Sequence, residues 1–296
     1  MKIGFIGLGQ MGKHMALNML KSGNEFIVCD IKTDAFQEFT SKGARATTDL
    51  SEVAQADIIF FSLPNTKIVK SVLLGEKGIV KHLRKGQTVV DLSTITYTGT
   101  LEIAKCLEEQ NITFIDAPVS GMEARAIDGT LTVMCGGEKE CFKKIKPFLE
   151  YIGNKVLYMG GTGKGQLTKL INQLLFDINV AALAEILPMA IKLGLDPVKV
   201  DEVVNSGTGR SYASEFFIPR ILKDNFREGY SMNNAYKDLV SAAGISADLC
   251  IPLPVLHAAT TTYQMALLKG YGEHNKGGMI HVFEELLGVE YRDNEN

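Results

Sequence analysis

Cysteine is scarce and shows no pairing pattern: the 296-residue sequence holds Cys29, Cys106, Cys135, Cys141 and Cys250, with no CxxC pair. An odd, scattered set argues against a disulfide framework and against a structural zinc site. Core or incidental thiols are therefore expected, Cys135 and Cys141 around GGEKE included, and no metal. An excess of one charge is missing too. The 31 basic residues face 34 acidic ones, and nothing in that balance calls for nucleic acid or another polyanion. Also absent are a charged leader with an apolar stretch and cleavage site around MKIGFIGLG, and any later apolar run of bilayer-spanning length. The expectation is a cytoplasmic protein with neither membrane nor nucleic-acid partners. Repeats, heptads and low-complexity segments are lacking as well. Apolar residues are plentiful: 46% of the chain is hydrophobic, enough for one large core or two ordinary ones and incompatible with disorder.

Up to about Gly161 short apolar runs alternate with helix-like segments, the signature of βα units and a mainly parallel sheet. The runs are KIGFI, EFIVCD, ADIIFFS, TVVDLS, ITFIDA, LTVMC and KVLYM. The connection between DAPVSG and LTVMCGG is short for a crossover helix, so that run is expected to turn back antiparallel. Beyond MGGTGKGQ the alternation stops, and long helical patterns take over. The first runs from about Gly165 to Leu193, with Gly194 as its stop and Pro188 expected to kink it or end it early. The polar tail YRDNEN reads as frayed. The fold expected is α/β: a doubly wound, mainly parallel sheet over residues 1–162, then an all-α domain over 163–296, joined by a long helix.

GFIGLGQMG places Gly7, Gly9 and Gly12 in GxGxxG spacing between an apolar run and a helical pattern, with Gln10 and Met11 in the same turn. The first glycine permits the tight turn, the second admits a pyrophosphate to the backbone, and the third lets helix and strand pack closely. Asp30 ends the second run at the distance where an acidic residue meets ribose hydroxyls. A carboxylate there repels a 2′-phosphate, which favours NAD over NADP, although Lys32 two positions on softens that preference. The first domain is thus read as Rossmann-type. Ligands gather at the carboxyl ends of such strands, where Leu63, Pro64 and Asn65 follow one run, Ser93 and Thr94 another, and DAPVSGM a third. Turn residues and helix caps are the plain alternative for these positions.

Hydride transfer to a carbonyl leaves an alkoxide that needs a proton. None of the five histidines, His14, His82, His257, His274 and His281, stands on this rim; they read as helix-surface or tail positions, except that His14 sits near the phosphate turn. In GKGQLTKLINQLLFD, Lys169, Asn172, Gln173 and Phe176 fall at i, i+3, i+4 and i+7, on one helix face. A solvated helix face is the plain alternative, but such a face usually carries several charges, whereas this stripe has one lysine and two amides. Burial would lower the lysine pKa toward the range of a general acid or base.

GFIGLGQMG, DAPVSG, DGTLTVMCGG, GQLTKLINQ and YKDL, in this order over nearly the whole chain, resemble the β-hydroxyacid dehydrogenase family, which includes 3-hydroxyisobutyrate dehydrogenase and tartronate semialdehyde reductase. The resemblance implies that Lys169 is the catalytic acid and base, and that Ser120 and Gly121 bind the substrate carboxylate. It also implies that Asn172, with Gln173, holds substrate, that Thr94 lies beside the nicotinamide, and that Lys237 lines the site near the cofactor. It points to a dimer or tetramer. Two features bear on the substrate. Met122 stands where many members have a second glycine, so the far side of the loop is expected to be narrower or its backbone less able to adopt positive φ. Arg210 offers a fork for a second anionic group, with a surface role as the alternative. The function implied is NAD-dependent interconversion of a short β-hydroxy acid and its semialdehyde. Sulfolactaldehyde or a longer semialdehyde of the 2-(hydroxymethyl)glutarate type is the alternative substrate, and an NAD-sensing regulator without turnover is the alternative class.

Overall fold

The computed structural model describes residues 1–293 and contains two compact units, Met1–Lys169 and the chain from Leu170 onward. The first is built on a nine-stranded sheet, counted among the described residues. Its strands are β1 (Lys2–Ile6), β2 (Glu25–Cys29), β3 (Arg45–Thr47), β4 (Ile58–Phe61), β5 (Thr88–Asp91), β6 (Thr113–Asp116), β7 (Val119–Ser120), β8 (Leu131–Gly137) and β9 (Gly153–Gly160). The order is β3-β2-β1-β4-β5-β6-β8-β7, with β9 pairing β8. β1 to β6 are parallel neighbours, β8 runs antiparallel to β6 and β7 as its short connection implied, and β9 lies parallel to β8. The sequence direction reverses between β1 and β4, the point where a doubly wound sheet opens a crevice at its carboxyl edge.

Unbroken apolar strands suit this sheet because both of its faces are covered. Phe5, Phe60, Val90 and Ile115 fill one face with Met15 and Met19; Ile6, Ile59, Phe61 and Val89 fill the other with Val69, Leu73, Ile103 and Leu107. β3 and β7 are too short to give a periodic signal. A seven-residue helix, Met122–Asp128, occupies the connection before β8.

The second unit is helical. Val180, Ala184 and Leu187 of the long helix Lys164–Lys192 pack with Phe217, Ile221, Met232, Leu239 and Tyr263 in its core. Pro188 does not end this helix; the chain continues helically to Lys192. It closes at Gly194, φ +78°, with the Leu195 N–H returned to the Ala190 carbonyl at 3.0 Å. By length and composition alone this helix is apolar enough to cross a bilayer, with a window of mean hydropathy 1.8, which corrects the expectation that no run reaches that length. Tyr291 and Arg292, at the start of the tail, also depart from the frayed reading. Tyr291 donates its N–H to Glu284 and its hydroxyl to the Pro197 carbonyl, and Arg292 pairs with Glu284 and Asp224. Asn294, Glu295 and Asn296 lie outside the described residues.

Candidate active site

The glycine turn is shaped by contact. Gly7 has φ +98°, and a Cβ there would lie 2.2 Å from the Ser62 carbonyl oxygen; one on Gly12 would lie 2.0 Å from that of Gly7. Around Gly9 a Cβ would meet nothing within 4 Å. The turn is closed from behind and open at its middle glycine, and the helix Gly12–Leu20 that follows has no acidic residue in its first turn. Open backbone at a helix N-terminus suits a phosphate. Asp30 accepts from Leu8 N–H at 2.6 Å and from Lys32 N–H at 2.8 Å, so its carboxylate is anchored to the glycine turn. Each carboxylate oxygen keeps further acceptor capacity. Gln10 donates to Glu123 at 2.6 Å, and His14 faces the same carboxylate at 3.4 Å. Met11 packs against the core.

At the ends of β4 and β5 the rim is held by its own hydrogen bonds. The Leu63 N–H donates to Ser93 Oγ at 2.8 Å, and the Ser93 N–H to Asp91 Oδ1 at 2.9 Å. Pro64 is exposed, and Asn65 caps the helix Thr66–Leu74 by accepting from Ile68 N–H at 3.0 Å. Thr94 is half-buried between Ser93 and Ile95. Asp91 is fully enclosed, and burial pushes its carboxyl up to about 7.

Asp116 does more than end its strand. Its carboxylate accepts from the backbone of Gly163 at 2.7 Å and of Gln166 at 2.9 Å, which ties β6 to the start of the long helix. A Cβ on Gly136 or Gly165 would come within 2.6 or 2.7 Å of this carboxylate, so both positions leave room for it. Burial raises Asp116 to about 6, against the pull of those N–H donors. Beyond it Ser120 pairs with Thr132 in β7, Gly121 has φ +144°, and Met122 has φ +60°. For methionine the expectation is a narrower loop or a backbone less able to adopt positive φ; the chain nonetheless adopts the left-handed conformation there, with Met122 37% exposed.

Lys169 is the last residue of the first unit and is 8% exposed. One helical turn before it, Gln166 donates Nε2 to the Ser93 carbonyl at 2.7 Å and accepts the Ile95 N–H at 3.2 Å. In the helical unit Asn172 is exposed and Gln173 half-buried. The Phe176 ring lies 5.7 Å from that of Tyr212 and 5.8 Å from that of Phe217, with Lys276 Nζ 4.5 Å from its centroid. Lys276 forms a buried ion pair with Asp177, which also accepts from Tyr263 at 3.1 Å. Lys237 Nζ lies 5.9 Å from the Tyr230 ring. Arg210 pairs with Glu215 at 3.2 Å, its side chain 62% exposed. The structure thus gathers Gly7, Gly9, Gly12 and Asp30 around one turn, and Leu63, Ser93, Gln166 and Asp116 into one network leading to Lys169.

A family model described as the NAD binding domain of 6-phosphogluconate dehydrogenase matches residues 2–160, and one described as NAD-binding of NADP-dependent 3-hydroxyisobutyrate dehydrogenase matches residues 163–283. The chain is 39% identical to 2-(hydroxymethyl)glutarate dehydrogenase of Eubacterium barkeri, over 97% of this chain and 96% of that protein. It is 35% identical to 2-hydroxy-3-oxopropionate reductase of Escherichia coli K12, over 96% and 97%. A crystal structure of 3-hydroxyisobutyrate dehydrogenase from Salmonella typhimurium superposes with a TM-score of 0.86 at 28% identity, covering 95% of this chain and 99% of that one. The chain belongs to the β-hydroxyacid dehydrogenase family. As a member it is an oxidoreductase with nicotinamide-dinucleotide-binding domains.

In this β-hydroxyacid dehydrogenase the residues that sequence reasoning passed over are Asp91, Gln166 and Lys276. Gln166 stands between a glycine and a leucine in GKGQLTK, and its sole signal was its place one turn before Lys169. Lys276, in NKGGM, has the local sequence of an exposed loop, yet it is 1% exposed.

Proposed function

We propose that this enzyme interconverts a short β-hydroxy acid and its semialdehyde with NAD(H), and that Lys169 moves the proton. The observation that carries this is the placement of one nearly buried lysine a turn beyond a helix start tied to the carboxyl ends of β5 and β6. The open middle of the glycine turn fits a dinucleotide pyrophosphate, held by the backbone from Gly7 to Gly12 including Gln10 and Met11, with Leu63, Pro64, Asn65 and Thr94 toward the nicotinamide end. The anchored Asp30 carboxylate supports NAD over NADP, since it accepts from ribose hydroxyls and repels a 2′-phosphate. When bound, the nicotinamide supplies or accepts the hydride. The chain itself supplies everything else. Ser120 and the Gly121 backbone hold the substrate carboxylate, while Asn172, Gln173, Phe176 and Lys237 orient the carbinol end, with Met122 bounding the loop. The Lys169 ammonium gives its proton to the carbonyl oxygen on reduction, and the neutral amine takes the hydroxyl proton on oxidation.

Lys169→Ala should lower turnover by about 100- to 10,000-fold while NADH binding and fold persist; near-normal turnover removes Lys169 from the mechanism. A panel of semialdehydes of increasing length, assayed with NADH and with NADPH, ranks substrates by kcat/KM. The same assay separates an enzyme from an NAD-sensing regulator, which turns over none of them. A second substrate reading, a longer semialdehyde of the 2-(hydroxymethyl)glutarate type, draws on the likeness to the Eubacterium barkeri relative. It assigns Arg210, released from Glu215, to the distal carboxylate; Arg210→Ala then raises KM for the longer substrate alone. Sulfolactaldehyde belongs in the same panel. We propose further a cytoplasmic homodimer or homotetramer without nucleic-acid or membrane partners. A second copy would cover the exposed Ile171, Leu175, Ile186 and Met189 of the long helix. Light scattering tests the assembly.

A further inference from the structure

The network at the start of the long helix has a feature that the proposed mechanism does not use. The Gln166 side chain is 2% exposed. Its amide donates to the Ser93 carbonyl and accepts from the Ile95 N–H, so it grips the backbone on both sides of Thr94. The two partners dictate the orientation of the amide, because a carbonyl needs an NH2 and an N–H needs an oxygen. Asparagine is too short to span both, an ionised glutamate lacks the donor, and an apolar residue leaves two buried backbone groups unpaired.

The main chain of Gln166 is fixed independently. Its N–H donates to Asp116 at 2.9 Å, and the preceding Gly165 is pressed so closely that a Cβ would lie 2.3 Å from the Met134 carbonyl oxygen. Lys169 follows three residues later, about 4.5 Å along the helix axis and on a neighbouring part of the same face. Ser93 in turn receives the Leu63 N–H, so the ends of β4, β5 and β6 all meet at this one turn. Gln166, Ser93 and Asp116 of this anchorage are buried, Thr94 is half-buried, and Lys169 is 8% exposed.

We infer that Gln166 is a positioning residue: a single amide sets the spacing between the loop carrying Thr94, on the nicotinamide side, and the helical turn carrying Lys169, on the proton side. The inference rests on Lys169 being the proton-transfer group. Hydride and proton must reach adjacent atoms of one carbonyl, so the two suppliers need a fixed separation, and a misplacement of about 1 Å is enough to cost about 100-fold. Gln166 touches no reacting atom in this role.

The test is a cycle of Gln166→Met, Lys169→Ala and the double variant. Gln166→Met is expected to lower kcat about 10- to 100-fold with NADH affinity held within about threefold. The same change made in the Lys169→Ala background is expected to cost less than about threefold, because placement no longer matters once the lysine is gone. A merely structural role multiplies through both backgrounds and overturns the inference, as does a wild-type kcat in Gln166→Met. If Gln166→Met does not fold, Gln166→Glu takes its place and is read in the same way, since it keeps the volume and the acceptor for Ile95. An active Lys169→Ala enzyme marks failure of the mechanism itself, so the two failures are told apart.

Discussion

Three buried carboxylates, Asp91 and Asp116 in the nucleotide-binding unit and Asp177 in the helical one, are held by different means. In the nucleotide-binding unit Asp91 and Asp116, neighbours across β5 and β6, take backbone N–H groups: that of Ser93, together with its side chain, for the first, and those of Gly163 and Gln166 for the second. In the helical unit Asp177 is met by side chains, the Lys276 ammonium and the Tyr263 hydroxyl. The cause lies in the elements. Strand ends and helix starts leave N–H groups without partners, and a carboxylate placed there satisfies them. The middle of a helix has none to spare, so a charge buried within a helical core needs a counter-ion. Asp91 and Asp116 therefore sit at the edge of the sheet, beside the candidate site, and Asp177 deep among the helices of its unit.

The largest effect should come from breaking the side-chain arrangement. Lys276→Met leaves Asp177 buried without its cation and should destabilise the protein by about 3–5 kcal/mol, read as a fall in the denaturant midpoint. Adding Asp177→Leu should recover much of that loss. If Lys276→Met proves neutral, the contrast between the units fails.

The backbone-held pair should respond more mildly and with opposite signs. Asp91 has its pKa raised from 3.8 to about 7 by burial, so the folded protein binds a proton that the unfolded chain has released. Its contribution is largest below the lower value and is lost as pH rises through the window between the two. Asp91→Asn mimics the protonated form. It should change little near about pH 4 and stabilise by about 2–4 kcal/mol near about pH 8; parallel pH profiles for variant and wild type would sink this account. Asp116 is raised only to about 6, since backbone N–H donors, those of Gly163 and Gln166 among them, favour its charged form. Asp116→Asn turns an NH2 toward one of those donors and should destabilise by about 1–3 kcal/mol at neutral pH.

Legibility in the sequence followed the range of the interactions. The short connection after DAPVSG marked the antiparallel return of LTVMCGG. Periodicity marked the parallel strands and the long helix, because each rests on local side-chain alternation. It missed β3 and β7, which span three and two residues. The glycine turn and Asp30 were readable because their spacing encodes contact. Pro188 misled only in part: a helix with most of its bonds intact continues through one lost N–H. The Asp177–Lys276 pair is separated by 99 positions, and the carboxylate of Asp116 reaches the helix start about 50 residues on. Nothing local in DAPVSG or NKGGM records a partner at such distance.

The smallest effect bears on the two adjoining residues of the carboxylate loop. Gly121 and Met122 both have positive φ, yet only Gly121 is free of the steric penalty. The methionine conformation costs about 1–3 kcal/mol, offset in part on substitution by the larger unfolded-state entropy of glycine, about 0.5–1 kcal/mol. Met122→Gly should therefore stabilise by about 1 kcal/mol, while Met122→Ala keeps the strain and should gain nothing. If the side chain also bounds the substrate, both variants should change KM in the same direction although only one changes stability. That split separates the backbone role of Met122 from its side-chain role, and identical KM values in all three enzymes would leave it with the backbone role alone.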